Sequence, residues 1–204
     1  MTPSHYELLM NRKALLLITV IAESGLLLLG LILMRFSQLE LWSGIDLSCG
    51  ATAYALLLCL PLLAMLFFFD RSQWGPMIRF RREIDEKITP IFVNSKLPDL
   101  ALIAFFAGVG EELFFRGWLQ SVLASRFEVW FGILIASVIF GLAHYLSLIY
   151  AIYAGLTGLY LGVIYQVSGN LYMVMVIHAL YDFIALVYLL GKEKGKEVVL
   201  HAID

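Results

Sequence analysis

Six stretches of this sequence are apolar for long enough to approach or complete a membrane crossing, and that pattern decides what the chain can fold into. A helix needs about 20 mostly apolar residues to cross a hydrocarbon layer ~30 Å thick. Residues 14–34, 50–69, 99–124, 129–147, 149–167 and 170–190 fit that requirement. The expected fold is all-α, a polytopic transmembrane helix bundle of about six spans. Residues 129–167 read as a tight hairpin of two helices turning near Ser147, and Pro61 predicts a kink in the second span. Charged residues make up 15% of the chain and the mean hydropathy is +0.88, against about a quarter charged in soluble domains. The bilayer is therefore the expected solvent, and intrinsic disorder is excluded.

A net charge of −2 without a large basic block excludes nucleic acid as the main partner. Cys49 and Cys59 lie in or beside an apolar run, without metal-ligand spacing, so neither a disulfide framework nor a zinc ribbon is expected. Arg12 and Lys13 precede the first run as they would in a signal peptide. That run is too long, and no small-x-small cleavage site follows, so a retained anchor is expected. A single membrane domain over 1–204 follows, with two N-terminal spans in 14–69, a loop at 70–98 and a four-helix core at 99–190.

Lysine and arginine set the orientation. With six spans, Arg12, Lys13, Arg71, Arg79, Arg81, Arg82, Lys87, Lys96, Lys192, Lys194 and Lys196 fall on one side, and only Arg35 and Arg126 on the other. Both termini and the 70–98 loop are expected in the cytoplasm. In that loop Pro76 suits a first helical turn, and Met77, Phe80, Ile84 and Ile88 follow at helical spacing. Arg79, Arg81, Arg82, Asp85 and Glu86 oppose them, as in a basic amphipathic helix on the inner leaflet. Its plainest role is to fix topology; substrate docking is the alternative.

Charges inside the spans are the informative anomaly, since each costs about 2.5–3.5 kcal/mol near the bilayer centre and usually faces the bundle interior. Glu111 and Glu112 are adjacent, about 100° apart around a helix. Arg116 can pair with Glu112 one turn on, which leaves Glu111 facing another neighbour. A carboxylate buried without a cation is a stronger base. A self-contained Glu–Arg packing pair is the plainer alternative, but it leaves the second glutamate unexplained. His144 closes the fourth run, where an interfacial histidine would be ordinary. His178 and Asp182 share a helix face, as a buried packing pair also would. Counted by depth, Glu111 and His178 lie near mid-layer, Asp182 about one turn nearer the cytoplasm and His144 nearer still. Three helices thus bring Glu111, Glu112, His144, His178 and Asp182 to one polar cavity open to the cytoplasm. Glu23, alone in the first span, either hydrogen-bonds another helix or lines an entry.

Acid–base groups around such a cavity suit hydrolysis. Ser137 and Ser147 lack a nucleophile-elbow context and neither cysteine accompanies the histidines, so water is the expected nucleophile. Glu111 would take its proton, His144 would orient it, and His178 with Asp182 would stabilise the oxyanion.

Glu111-Glu112-x-x-x-Arg116, Phe140-x-x-x-His144 and His178-x-x-x-Asp182 together resemble the three signature motifs of the CAAX prenyl protease and bacteriocin-processing (CPBP, or Abi) intramembrane proteases, over roughly residues 99–190. The resemblance implies a metal-independent, glutamate-dependent endopeptidase acting on a membrane-associated, lipid-anchored or membrane-spanning peptide or protein. It assigns Glu111 as the water-activating base, Glu112 and Arg116 as its supporting pair, and His144, His178 and Asp182 as water- or oxyanion-binding groups. No cofactor is expected. Glutamate, two histidines and aspartate leave a zinc-dependent protease as the minority alternative. A non-catalytic immunity or scaffold protein that binds a peptide or partner is the rival from another class. A proton-coupled transporter is less supported, because no half-repeat or broken mid-layer helix is evident. The small size fits a prokaryotic cytoplasmic membrane.

Overall fold

The computed structural model describes residues 11–40 and 44–201, with residues 194–201 as helical backbone alone, so the side chains of Lys194 and Lys196 lie outside the described residues. All regular structure among the described residues is helical: α1 (Arg12–Phe36), α2 (Cys49–Arg71), α3 (Gly75–Glu83), a π-helical turn (Ile84–Ile88), α4 (Thr89–Phe92), α5 (Leu97–Glu112), a π-helical segment (Leu113–Gln120), α6 (Ser121–Arg126), α7 (Val129–Ala143), α8 (Leu148–Ser168) and α9 (Leu171–His201). Side-chain oxygens of Asn11 and Ser48 cap α1 and α2, accepting from the amides of Lys13 and Ala51. Gly169 closes α8 at φ 63°, a left-handed conformation that glycine adopts freely, and its N–H returns to the Tyr165 carbonyl.

Arg12–Phe36, Cys49–Arg71, Leu148–Ser168 and Leu171–Glu193 are long and apolar enough to cross a membrane. The other two expected spans differ from these four for physical reasons. The third is one helical path from Leu97 to Arg126 whose middle carries buried charges. The fourth is only the 15 residues of α7, because the backbone leaves the helix at His144 (φ −94°, ψ 20°). Pro61 sits within α2, which continues as one helix to Arg71, so the loop begins later than expected.

Contacts along these rods fix their directions. α1 runs parallel to the 97–126 path: Arg12 bonds Asp99, Glu23 lies on Gly110 and Met34 on Gly117. α2 runs parallel to α9, with Thr52 on Tyr172, Cys59 on Ile177 and Asp70 on Tyr188. α8 is parallel to the 97–126 path through Arg116 on Gly158 and Gln120 on Gly162. α7 returns antiparallel on α8, and α9 antiparallel on α5. The six rods therefore alternate in direction along the chain. Small residues let them approach: a Cβ on Gly108 would stand 2.8 Å from that of Ala179, and one on Gly141 would collide with the Ala151 carbonyl. Large apolar side chains such as Ile21, Leu28 and Ile32 of α1 and Trp130, Leu134 and Val138 of α7 face outward, as a lipid solvent requires.

The segment between α2 and α5 is amphipathic, and Pro76 lies in its first turn. Met77 and Phe80 are buried, with Phe80 packed on the rings of Tyr150 and Tyr153 at 6.0 and 5.1 Å. Arg81 departs from the outer face assigned to it. It turns back to donate to the carbonyls of Phe69 (3.0 Å) and Ser72 (2.6 Å), because the last carbonyls of α2 have no partner within their own helix.

Candidate active site

Glu112 ends α5 and Arg116 sits one turn into the π-helical segment that follows. π-Helical turns widen a helix and recur at functional sites. Arg116 donates from one terminal nitrogen to Glu112 Oε1 (2.6 Å) and from the other to the Gly158 carbonyl (2.8 Å). Glu112 is 0% exposed and Arg116 1%. Two charges so far from water persist only when paired and hydrogen-bonded, and this pair is both. The expected Glu112–Arg116 contact is therefore present, with Gly158 as a partner that spacing along one helix does not reveal. A Cβ on Gly158 would lie 3.3 Å from the guanidinium and 3.2 Å from the Phe140 ring, so the approach depends on a minimal residue there.

Three of the six expected residues, Glu111, Glu112 and Asp182, meet a fourth, His178, which is 4% exposed, and Arg116 joins them through Glu112. His178 Nδ1 is 2.7 Å from Glu112 Oε1, and its Nε2 is 3.3 Å from Asp182 Oδ2 and 4.0 Å from Glu111 Oε2. Both ring nitrogens thus face carboxylates. Asp182 was anticipated as a partner; Glu112 was not, because it comes from an antiparallel helix. His144, the sixth, reaches the group from the end of α7, with Nε2 3.5 Å from Glu111 Oε2. Its Nδ1 lies 2.9 Å from the Phe140 carbonyl, a contact that fixes the ring.

The two glutamates have different surroundings although they are neighbours. Glu112 is locked between Arg116 and His178. Glu111 projects between the two imidazoles, and its Oε2 is buried without a direct hydrogen bond from the protein. The His144 and Asp182 side chains are 30% and 33% exposed, so this half of the cluster opens outward.

Phe140 organises the centre. Its ring stacks on His144 at 4.5 Å, meets His178 edge-on at 5.9 Å, and carries the Arg116 guanidinium over its face at 4.8 Å. The sequence reading gave Phe140 no role of its own; its place one turn before His144 was the available signal. Glu23 also belongs here. Its carboxylate sits on Gly110 and within electrostatic reach of Glu111, His144, His178 and Asp182. Among the described residues, no group of three or more histidine, cysteine, aspartate or glutamate side chains forms a candidate metal site. A carboxylate base, an imidazole beside it and a second imidazole facing the same space can activate water and receive a developing negative charge.

The family model described as type II CAAX prenyl endopeptidase, Rce1-like, matches residues 93–184 of this chain. No curated protein and no solved structure matches it.

Proposed function

From the match of residues 93–184 to the type II CAAX prenyl endopeptidase, Rce1-like, family model, we propose that this chain is a peptidase that hydrolyses peptide bonds within the membrane by glutamate-activated water. The single observation that carries this reading is Glu111 Oε2, buried, accepting from no protein donor, and placed 3.5 and 4.0 Å from two imidazole nitrogens. Glu111 takes a proton from water while His144 Nε2 orients that water. The water oxygen bonds the substrate carbonyl carbon, and the displaced electron pair becomes an oxyanion facing His178 Nε2. Collapse breaks the C–N bond, and the proton held by Glu111 passes to the leaving amine. Asp182 shares the His178 pole, and as a carboxylate it donates to an oxyanion only when protonated. Glu112 and Arg116 position His178 from below. The substrate is a membrane-associated peptide or protein.

The same reading makes the six alternating rods six membrane passes, with both termini and residues 72–96 in the cytoplasm. α7 is about 22 Å long, and its pass is completed by the polar turn that carries His144. Cys49, exposed at the start of α2, then faces the opposite compartment, whereas Cys59 is buried. A membrane-impermeant maleimide added to intact cells should label the wild type and leave Cys49→Ser unlabelled. Labelling that requires opened cells would reverse the topology.

The protease reading is tested by comparative peptidomics of membranes carrying wild type, Glu111→Gln or His178→Ala. Cleavage products should disappear in both variants while the folded protein accumulates to the wild-type level. Products persisting in both would leave a binding protein as the reading.

A further inference from the structure

α1 lies outside the residues that match the family, yet it carries a carboxylate to the site. Glu23, Leu27, Gly30 and Met34 follow one another at the spacing of a single helix face, and Gly30 and Met34 are buried against the 97–126 path. Glu23 is thus on the packing seam rather than on the lipid face held by Ile21, Leu28 and Ile32. Gly110 admits it. A Cβ there would stand 2.7 Å from the Glu23 carbonyl and 3.3 Å from Glu23 Oε2, one residue before Glu111.

The seam gives no reason for a glutamate. Glu23 is only partly buried as a residue, but its Oε2 is buried and accepts no hydrogen bond from the protein. Glu111 Oε2, on a residue 9% exposed, is in the same condition. Around these two oxygens stand Glu112 and Asp182, and the permanent cation of the group is Arg116. Its two terminal nitrogens are committed to Glu112 and the Gly158 carbonyl. The imidazoles of His144 and His178 turn their nitrogens to Glu111, Glu112 and Asp182. Glu23 Oε2 is left without a donor, and a further cation with hydrogens to donate would satisfy it, because ionic hydrogen bonds strengthen away from water.

We infer that Glu23 is a specificity-determining residue that receives a positively charged side chain of the peptide substrate, an ammonium or guanidinium close to the scissile bond. The inference deepens the peptidase reading and rests on it for the word substrate. The cation subsite itself is defined by Glu23, Gly110 and Glu111. A lysine or arginine entering along α1 would satisfy Glu23 Oε2 and be held next to the attacked carbonyl. An acidic side chain there would meet the carboxylates of Glu23 and Glu111.

The test uses the full chain in phosphatidylcholine nanodiscs, with octylguanidinium as probe and octylurea, its uncharged analogue, as reference. Wild type should bind the guanidinium at least tenfold more tightly than the urea, the preference expected of one charge-assisted contact. Glu23→Gln should abolish that ratio and Glu23→Asp should recover part of it. A wild-type ratio near one, or a ratio that survives Glu23→Gln, overturns the inference. Cleavage of a mixed peptide library supplies the second reading. Lysine or arginine should be enriched at one position near the cut for wild type and not for Glu23→Gln, and an unchanged profile overturns the inference too. Cleavage retained by Glu111→Gln would instead overturn the peptidase mechanism, and the binding ratio would still decide the role of Glu23.

Discussion

Glu111 and Glu112 share a helix end and a chemistry, and they differ in almost everything else. Glu112 is fully buried, bonded to Arg116 and to His178 Nδ1. Glu111 has two imidazole nitrogens at 3.5 and 4.0 Å and an oxygen with no donor. An Oε2 without a donor is common to both; the carboxylate whose Oε1 is bonded to Arg116 and His178 organises the site, and the one held only at longer range by two imidazoles is available for chemistry. Burial alone does not distinguish them, since both are nine-tenths buried or more. Partner count does.

The comparison breaks if Glu111→Gln behaves like Glu112→Gln. Glu111→Gln should lower kcat by about 10²–10⁴-fold, the range of a lost general base, with little change in unfolding by detergent titration, since its two imidazole contacts are long, at 3.5 and 4.0 Å. Glu112→Gln should act on both readouts, because it frees Arg116 and His178 together. Equal kinetic losses with equal loss of stability in the two variants would erase the distinction.

The next largest effect sharpens the closed side. Arg116→Met leaves Glu112 buried with an imidazole as its remaining partner, and breaking a buried pair from one side costs about 3–5 kcal/mol. The double variant Glu112→Gln with Arg116→Met removes both charges and should recover a large part of that loss in the same titration. No recovery would mean that the pair is held for its contacts with Gly158 and Phe140 rather than for its charge.

How much of this arrangement could be read beforehand depends on whether it is local. The Glu112–Arg116 and His178–Asp182 contacts follow from i,i+4 spacing on one helix, and the structure contains both. The all-α class follows from apolar run length alone. The Glu112–His178 and Arg116–Gly158 contacts cross between helices, and no periodicity within either strand of sequence encodes them. Glu23 is the same case: its mid-span position marked it as costly, but the Gly110 gap that admits it is a property of packing. The short α7 escaped detection because hydropathy continues through Leu142 and Ala143 while the backbone turns at His144. Arg81 looked like a surface charge because the carbonyls it satisfies belong to the end of another helix.

The smallest expected effect concerns how the open side is held. His144 occupies a four-residue turn before α8, and Ser147 at its end accepts from the Tyr150 amide (3.3 Å) and bonds Glu83 at the close of α3. The amphipathic segment thereby touches the turn that aims His144 at Glu111. Ser147→Ala removes a helix cap, worth about 1 kcal/mol of stability, and Glu83→Gln leaves the cap in place while weakening its link to α3. If the turn is held by the cap alone, only the serine variant should lower kcat, and by less than His144→Ala does. If the link to α3 also matters, both variants should lower kcat with KM unchanged, because Glu111 and Glu23 are untouched. Neither should approach the Glu111→Gln loss, since Phe140 still stacks on His144 at 4.5 Å and its carbonyl still meets Nδ1. A loss as large as that of Glu111→Gln from either change would mean that the open side owes its geometry to α3 rather than to α7.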